Sequence, residues 1–220
     1  ALLADLSENR LSLQDWPAAR AALDFATDLD PDNGAVRRAR RSYELYDSYE
    51  LYIEAGYGEG QDVNYFGSRD WSIDSYLYSR PIADNWRVFA HNYSARADFD
   101  GDSQSWIRCG AGVEWRHLGW RLTGEVNGGS GVKVGATGTV RWKPDDAWTF
   151  YGAAESVTNQ IPLRAVADGI YAGRLSVGAD WRQHESRKLA LGVYSSDFSD
   201  GNLRTGVNAA WFERWASGPK

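Results

Sequence analysis

The sequence predicts a mainly β protein: a transmembrane antiparallel β-barrel of about ten strands, preceded by a short α-helical segment. Three observations predict it. From Trp106 to Arg116, Ile107, Cys109, Ala111, Val113 and Trp115 alternate with Arg108, Glu114 and Arg116, and the pattern returns in 120–127 and 132–142. A period of two places the apolar set on one face of a strand and the charged set on the other. Each run is about ten residues long, enough to cross a bilayer when tilted. Aromatics sit mostly at the ends of the apolar face, with small residues or valine between, as in barrels with an aromatic girdle.

The remaining elements follow in order. Leu2, Leu3, Leu6, Leu11 and Leu13 suit a first helix. Trp16-Pro17 ends it and opens a second, because proline is tolerated at a first helical position. There Ala18, Ala19, Ala22, Leu23, Ala26 and Leu29 recur at helical spacing until Asp30-Pro31-Asp32. The stretch 13–31 resembles the second half of a tetratricopeptide repeat, which needs neighbouring repeats to bury its faces. A third helix, 34–47, carries Arg37, Arg38, Arg40 and Arg41 and reads as a solvated face. Domain bounds of 1–47 for the helices, 48–215 for the barrel and 216–220 for a tail are expected. Strands are expected near 49–57, 68–79, 84–97, 105–116, 119–127, 131–142, 147–156, 169–183, 187–195 and 202–214.

Connections alternate between tight (80–85, 117–119, 144–147, 183–187) and mostly longer or richer in Gly and Asp (58–67, 98–103, 127–131, 156–168, 196–202). Outer-membrane barrels have short periplasmic turns and long external loops. The helices precede the first strand and therefore fall on the periplasmic side. The chain begins at Ala1 without a signal peptide, which predicts a mature form or a fragment. The end, Phe212 to Lys220, carries no terminal aromatic, and an open sheet edge in lipid is costly. Further strands are expected beyond it.

Composition limits function. With a net charge of −6, nucleic acid is not an expected partner. The mean hydropathy of −0.53 and the absence of a long apolar run exclude transmembrane helices. Cys109 is the one cysteine and reads as a small hydrophobe. No nucleophile elbow, phosphate loop or Cys-x-x-Cys occurs. The three histidines lack metal spacing, and Asp98–Asp102 matches a calcium loop only loosely. No enzyme activity, cofactor or metal is expected, although carboxylates sharing one interior leave glycoside hydrolysis open. That interior collects Glu50, Glu54, Asp74, Glu114, Glu125, Glu155 and Asp180. Arg108, Arg116, Arg121, Lys133, Arg141, Arg174 and Arg182 share it, with Tyr52, Tyr76, Tyr78, Tyr151 and Tyr194. Carboxylates, guanidinium groups and phenols suit a hydroxyl-rich or aminosugar chain; any water-filled barrel could carry the same lining.

Two loop stretches go further. Ser156–Ile170 and Asp197-Phe-Ser-Asp-Gly-Asn202, placed after helices that run directly into a barrel, resemble the PgaA/HmsH-type exporters of poly-β-1,6-N-acetylglucosamine. The resemblance spans about 1 to 215 and implies a barrel of roughly sixteen strands, of which this chain carries part. It also implies an outer-membrane porin that exports a partly de-N-acetylated biofilm polysaccharide, with a periplasmic deacetylase docked on the tetratricopeptide repeats and lipid around the barrel. The seven carboxylates with Tyr52, Tyr76, Tyr78 and Tyr151 become candidate guides, and Asp197 and Asp200 candidate exit residues. The basic residues on the same wall depart from a simple acidic lining. A cellulose-type exporter and a structural or adhesive barrel are the alternatives.

Overall fold

The computed structural model describes residues 2–59, 69–99, 102–129 and 132–215, excepting the side chains of Arg69, Phe99 and Val132. Most of the expected loop 58–67, Asp100 and Gly101 of the calcium-like loop, Ser130 and Gly131, and the tail 216–220 lie outside them.

Three helices lead: α1 (Leu2–Ser12), α2 (Trp16–Leu29) and α3 (Gly34–Tyr46). Asp15 caps α2 by accepting from the Ala18 amide, and Asn33 caps α3 through the Ala35 amide. Their core is Ala4, Ala19, Leu23, Ala26, Val36, Ala39 and Tyr43, and the buried Ser7 hydroxyl donates to the Ala19 carbonyl at 2.9 Å. Small residues at the crossings let the helices approach closely. The leucines of α1 are therefore not the centre of this core: Leu3 and Leu11 pack at its edge, while Leu2 and Leu6 are exposed.

The strands are β1 (Glu50–Glu59), β2 (Arg69–Tyr78), β3 (Trp86–Phe99), β4 (Asp102–His117), β5 (Trp120–Gly129) and β6 (Val132–Trp142). After them come β7 (Trp148–Glu155), a short helix α4 (Leu163–Ala167), β8 (Ala172–His184), β9 (Arg187–Phe198) and β10 (Leu203–Glu213). Each pairs antiparallel with the next in sequence order, and among the described residues β1 and β10 do not pair. The ten strands are where the alternation puts them; α4 is an addition.

Side chains invert the usual order of a water-soluble protein. Ile53, Ile73, Leu77, Val113, Val126, Val134, Val177, Leu191 and Val207 are exposed on the outer face, whereas Arg87, Arg108, Glu114, Arg116, Glu125 and Asn127 are buried on the inner one. Only an apolar solvent outside makes that arrangement favourable. At the short-turn end, outward aromatics form a continuous ladder, Trp120–Trp142–Phe150–Trp148–Trp181–Trp211, with neighbouring ring centroids 5.1 to 6.5 Å apart. Their apolar rings and polar edges suit the membrane interface. The β4–β5 turn needs two left-handed residues, Leu118 (φ 45°) and Gly119 (φ 80°), as a two-residue hairpin does. Across the wall, Phe89 lies over Gly112, Tyr151 over Gly178 and Tyr194 over Gly206, each on the directly opposite residue. Glycine there leaves the strand surface open to a ring.

Candidate functional site: the inner wall of the barrel

Position along each strand, counted from its short turn, orders the inward side chains. In the layer next to the short turns, Arg87, Arg116, Arg121, Arg141, Arg182 and Lys188 face inward with a single carboxylate, Glu50. The next positions along the strands hold Glu114 and Asp180, then Glu54, Asp74 and Glu125, then Glu155, with His91; across the strands Arg87 stands directly opposite Glu114 and Arg174 directly opposite Glu155. Nearer the long loops come Arg108, Lys133, Arg174 and Arg204, with Asp70. The lining is mixed in composition, as the sequence indicates, with its carboxylates concentrated towards the middle of the strands and its basic residues towards their ends.

The predicted carboxylates have different surroundings. Glu50 accepts from Arg87 at 2.8 Å and lies 3.8 Å from Arg116. Glu114, 1% exposed, sits beneath Arg116 Nε at 2.5 Å and Arg121 Nε at 3.7 Å. Glu125 is buried, accepts from Asn127 at 2.9 Å and meets His91 Nδ1 at 2.8 Å. His91 Nε2 meets Asp74 at 2.7 Å, so one imidazole bridges β2 and β5. That reach passes over β4 at Gly110, where a Cβ would collide with the Glu125 carboxylate. Glu54, which accepts from the Tyr52 hydroxyl at 2.9 Å, and Asp180 are open to the lumen; Asp74 and Glu155 are half-buried. Glu114 and Glu125 are thus held inside the wall, out of reach of a passing chain.

Rings cluster on β1–β3. Tyr76 stacks on His91 at 4.0 Å and on Tyr78 at 6.1 Å, and lies 6.4 Å from Tyr52; Phe89 fills the space between Tyr76 and Tyr78. Tyr151 stands apart, donating to the Leu191 carbonyl at 3.3 Å. Asp197 lies on the outward side of β9, and Asp200 accepts from the amide and Nδ2 of Asn202, shaping the turn at Gly201 (φ 88°). Neither reaches the inner wall. Among the described residues no group of His, Cys, Asp and Glu could hold a metal ion.

The segment after β7, expected as an external loop, instead folds onto the inner face. Val157 and Ile161 pack with the inward Trp106 and with Ala172, while α4 meets β3 and β4. Arg108, 3% exposed, donates to the Val157 carbonyl at 2.9 Å and also to Asn159 and Asn127. A cavity of about 470 Å³ remains between Pro162–Arg164 and the inward Ser72, Tyr93 and Ala95. Apolar Val157, Ile161, Leu163 and Val166 in a presumed solvent loop were the available signal.

At the opposite end the helices are tied to the barrel. Trp16 stacks on Tyr46 at 3.3 Å, and the Tyr46 hydroxyl donates to the Asp84 carbonyl in the β2–β3 turn at 2.6 Å. Arg20 lies 3.4 Å from the Asp84 carboxylate. Burial pushes the Tyr46 phenol up to about 12, against a smaller downward pull from Arg87.

An apolar, tryptophan-edged outer face around a charged inner wall defines a membrane β-barrel of the outer-membrane kind. More specifically, the chain belongs to the family of the PgaA membrane beta barrel domain, whose family model matches residues 45–220. It is 30% identical over 217 residues to the poly-beta-1,6-N-acetyl-D-glucosamine export protein of Escherichia coli strain K12 and equally to that of strain O157:H7. The match covers 94% of this chain and 26% of each relative, so the chain spans about a quarter of their length. A solved bacterial polysaccharide outer membrane secretin superposes with a TM-score of 0.66 at 30% identity, covering 79% of this chain and 59% of that one.

Proposed function

We propose that this chain supplies part of the wall of an outer-membrane pore that exports a partly de-N-acetylated poly-N-acetylglucosamine. The carrying observation is the middle of the wall, where Glu54, Asp74, Glu155 and Asp180 face the lumen while the basic residues gather towards both ends of the strands, Arg174 directly opposite Glu155 among them. Free amines make such a polymer cationic, and an acidic lumen concentrates cations. Glu54, Asp74, Glu155 and Asp180 are the guides this reading selects, with Tyr52, Tyr76 and Tyr78 as flat surfaces for sugar rings; Tyr151 adds a ring on β7. Asp197 and Asp200 act, on this reading, by shaping the external turn. The wall performs no chemistry; it lowers the energy of a hydrated chain in transit.

The helices 2–46 belong on the periplasmic side, because they join the barrel at its short-turn end. There they would close a tetratricopeptide array that docks a polysaccharide deacetylase. Replacing Glu54, Asp74, Glu155 and Asp180 with Gln in the full-length protein should lower surface polymer at unchanged barrel abundance. Undiminished secretion would refute the electrostatic guide and favour a neutral, cellulose-type cargo. Absence of conductance from the intact protein in planar bilayers would favour a structural barrel.

A further inference from the structure

The layer beside the short turns does the opposite of the acidic middle. Arg87 and Arg116 are neutralised by Glu50 and Glu114. Across β5, β6, β8 and β9, however, Arg121, Arg141, Arg182 and Lys188 share one carboxylate contact, Arg121 to Glu114 at 3.7 Å. Among the described residues Arg141, Arg182 and Lys188 form no ion pair. They also stand in direct cross-strand pairs of like charge, Arg121 opposite Arg141 and Arg182 opposite Lys188. Such pairs are destabilising, and the fold compensates them only in part, through the Arg121–Glu114 contact and the Phe212 ring 5.9 Å from Lys188. The nearby turn acids are occupied: Asp146 pairs with Lys143 at 2.8 Å, and Asp145 accepts from the Ala147 and Trp148 amides.

We propose that Arg121, Arg141, Arg182 and Lys188 form a cationic collar at the periplasmic mouth that selects N-acetylated over amine-bearing stretches of the polymer. This rests on the export reading above. Guanidinium and ammonium groups donate hydrogen bonds and accept none. They can serve an acetamide carbonyl or a sugar hydroxyl, but they repel an ammonium group and offer it no acceptor. A cationic sugar crosses this barrier before reaching the acidic middle; an acetylated one crosses without Coulomb cost. The collar therefore limits how densely amines occur along an exported chain.

The test uses the full-length protein with Arg121→Gln, Arg141→Gln, Arg182→Gln and Lys188→Gln combined, beside an all-lysine control at the three arginines. In planar bilayers under a potassium chloride gradient, the glutamine variant should shift its reversal potential towards cation selectivity, and the control should not. In cells, the free-amine fraction of secreted polymer should rise about two-fold or more. If the potential shifts but the amine fraction stays at the parental value, the collar is not a cargo filter. If neither moves, the collar carries no effective charge. If deleting the protein leaves aminosugar secretion intact, the export reading fails, and this proposal with it, whatever the bilayer result. Arg141→Gln alone, at a lumen-exposed side chain, gives the same readings in smaller measure should the quadruple variant fail to assemble.

Discussion

Arg87, on the inner face of β3, holds its guanidinium 4.8 Å from the centre of the Tyr46 ring and donates to the Tyr46 carbonyl at 2.5 Å. The last residue of α3 is thereby fastened to a side chain of the barrel wall, which Glu50 also engages. The helices and the barrel meet through a packed joint with little free linker, since β1 begins four residues after Tyr46.

Tyr46→Ala should release this joint and increase protease cleavage between Asp47 and Tyr49. Tyr46→Phe, which loses only the bond to Asp84, should cost about 1 kcal/mol.

The Tyr46 phenol also predicts a pH effect. Its folded value, about 12, lies above the unfolded value near 10. The folded state therefore binds the proton more tightly, and this contribution is present in full below pH ~10 and lost as pH rises to ~12. Hydrogen exchange in α3 should quicken over that window in the parent protein and less in Tyr46→Phe.

Glu114 and Asp180 should separate structure from transport. Glu114→Gln leaves Arg116 and Arg121 without their buried counter-charge, a loss of about 3–5 kcal/mol, and should reduce heat-resistant barrel on gels. Asp180→Gln, at a lumen-exposed position, should stay within about 0.5 kcal/mol of the parent.

Gly110→Val should push Glu125 away from His91, because β4 leaves no room for a Cβ beneath that carboxylate. A destabilisation of about 1–3 kcal/mol, measured by urea unfolding in lipid vesicles, is expected. Parental stability would mean that the Asp74–His91–Glu125 bridge contributes nothing.

Leu118→Asn should stabilise the β4–β5 hairpin by up to ~1 kcal/mol, because asparagine tolerates a positive φ better than leucine. Faster refolding without change in final barrel content would agree with a turn effect.

The period of two assigned every strand and both of its faces, because a side chain in a strand has only two directions to take. That alternation placed Glu54 and Asp180 on the lumen side from the sequence alone, and tight and loose connections distinguished the two ends. Tertiary structure decided what each inward residue does. Glu114 and Asp180 are both the second inward residue from the short-turn end of their strands, yet one is covered by two arginines and the other is open; that depends on neighbours brought together by register. Likewise, Gly110 marks a place where Glu125 can cross a strand, which no local pattern encodes. The segment after β7 shows the same limit: its apolar residues read as loop until Trp106 and Tyr93 supplied a surface to bury them. Local sequence determines direction, whereas burial and charge pairing are properties of contacts between distant residues.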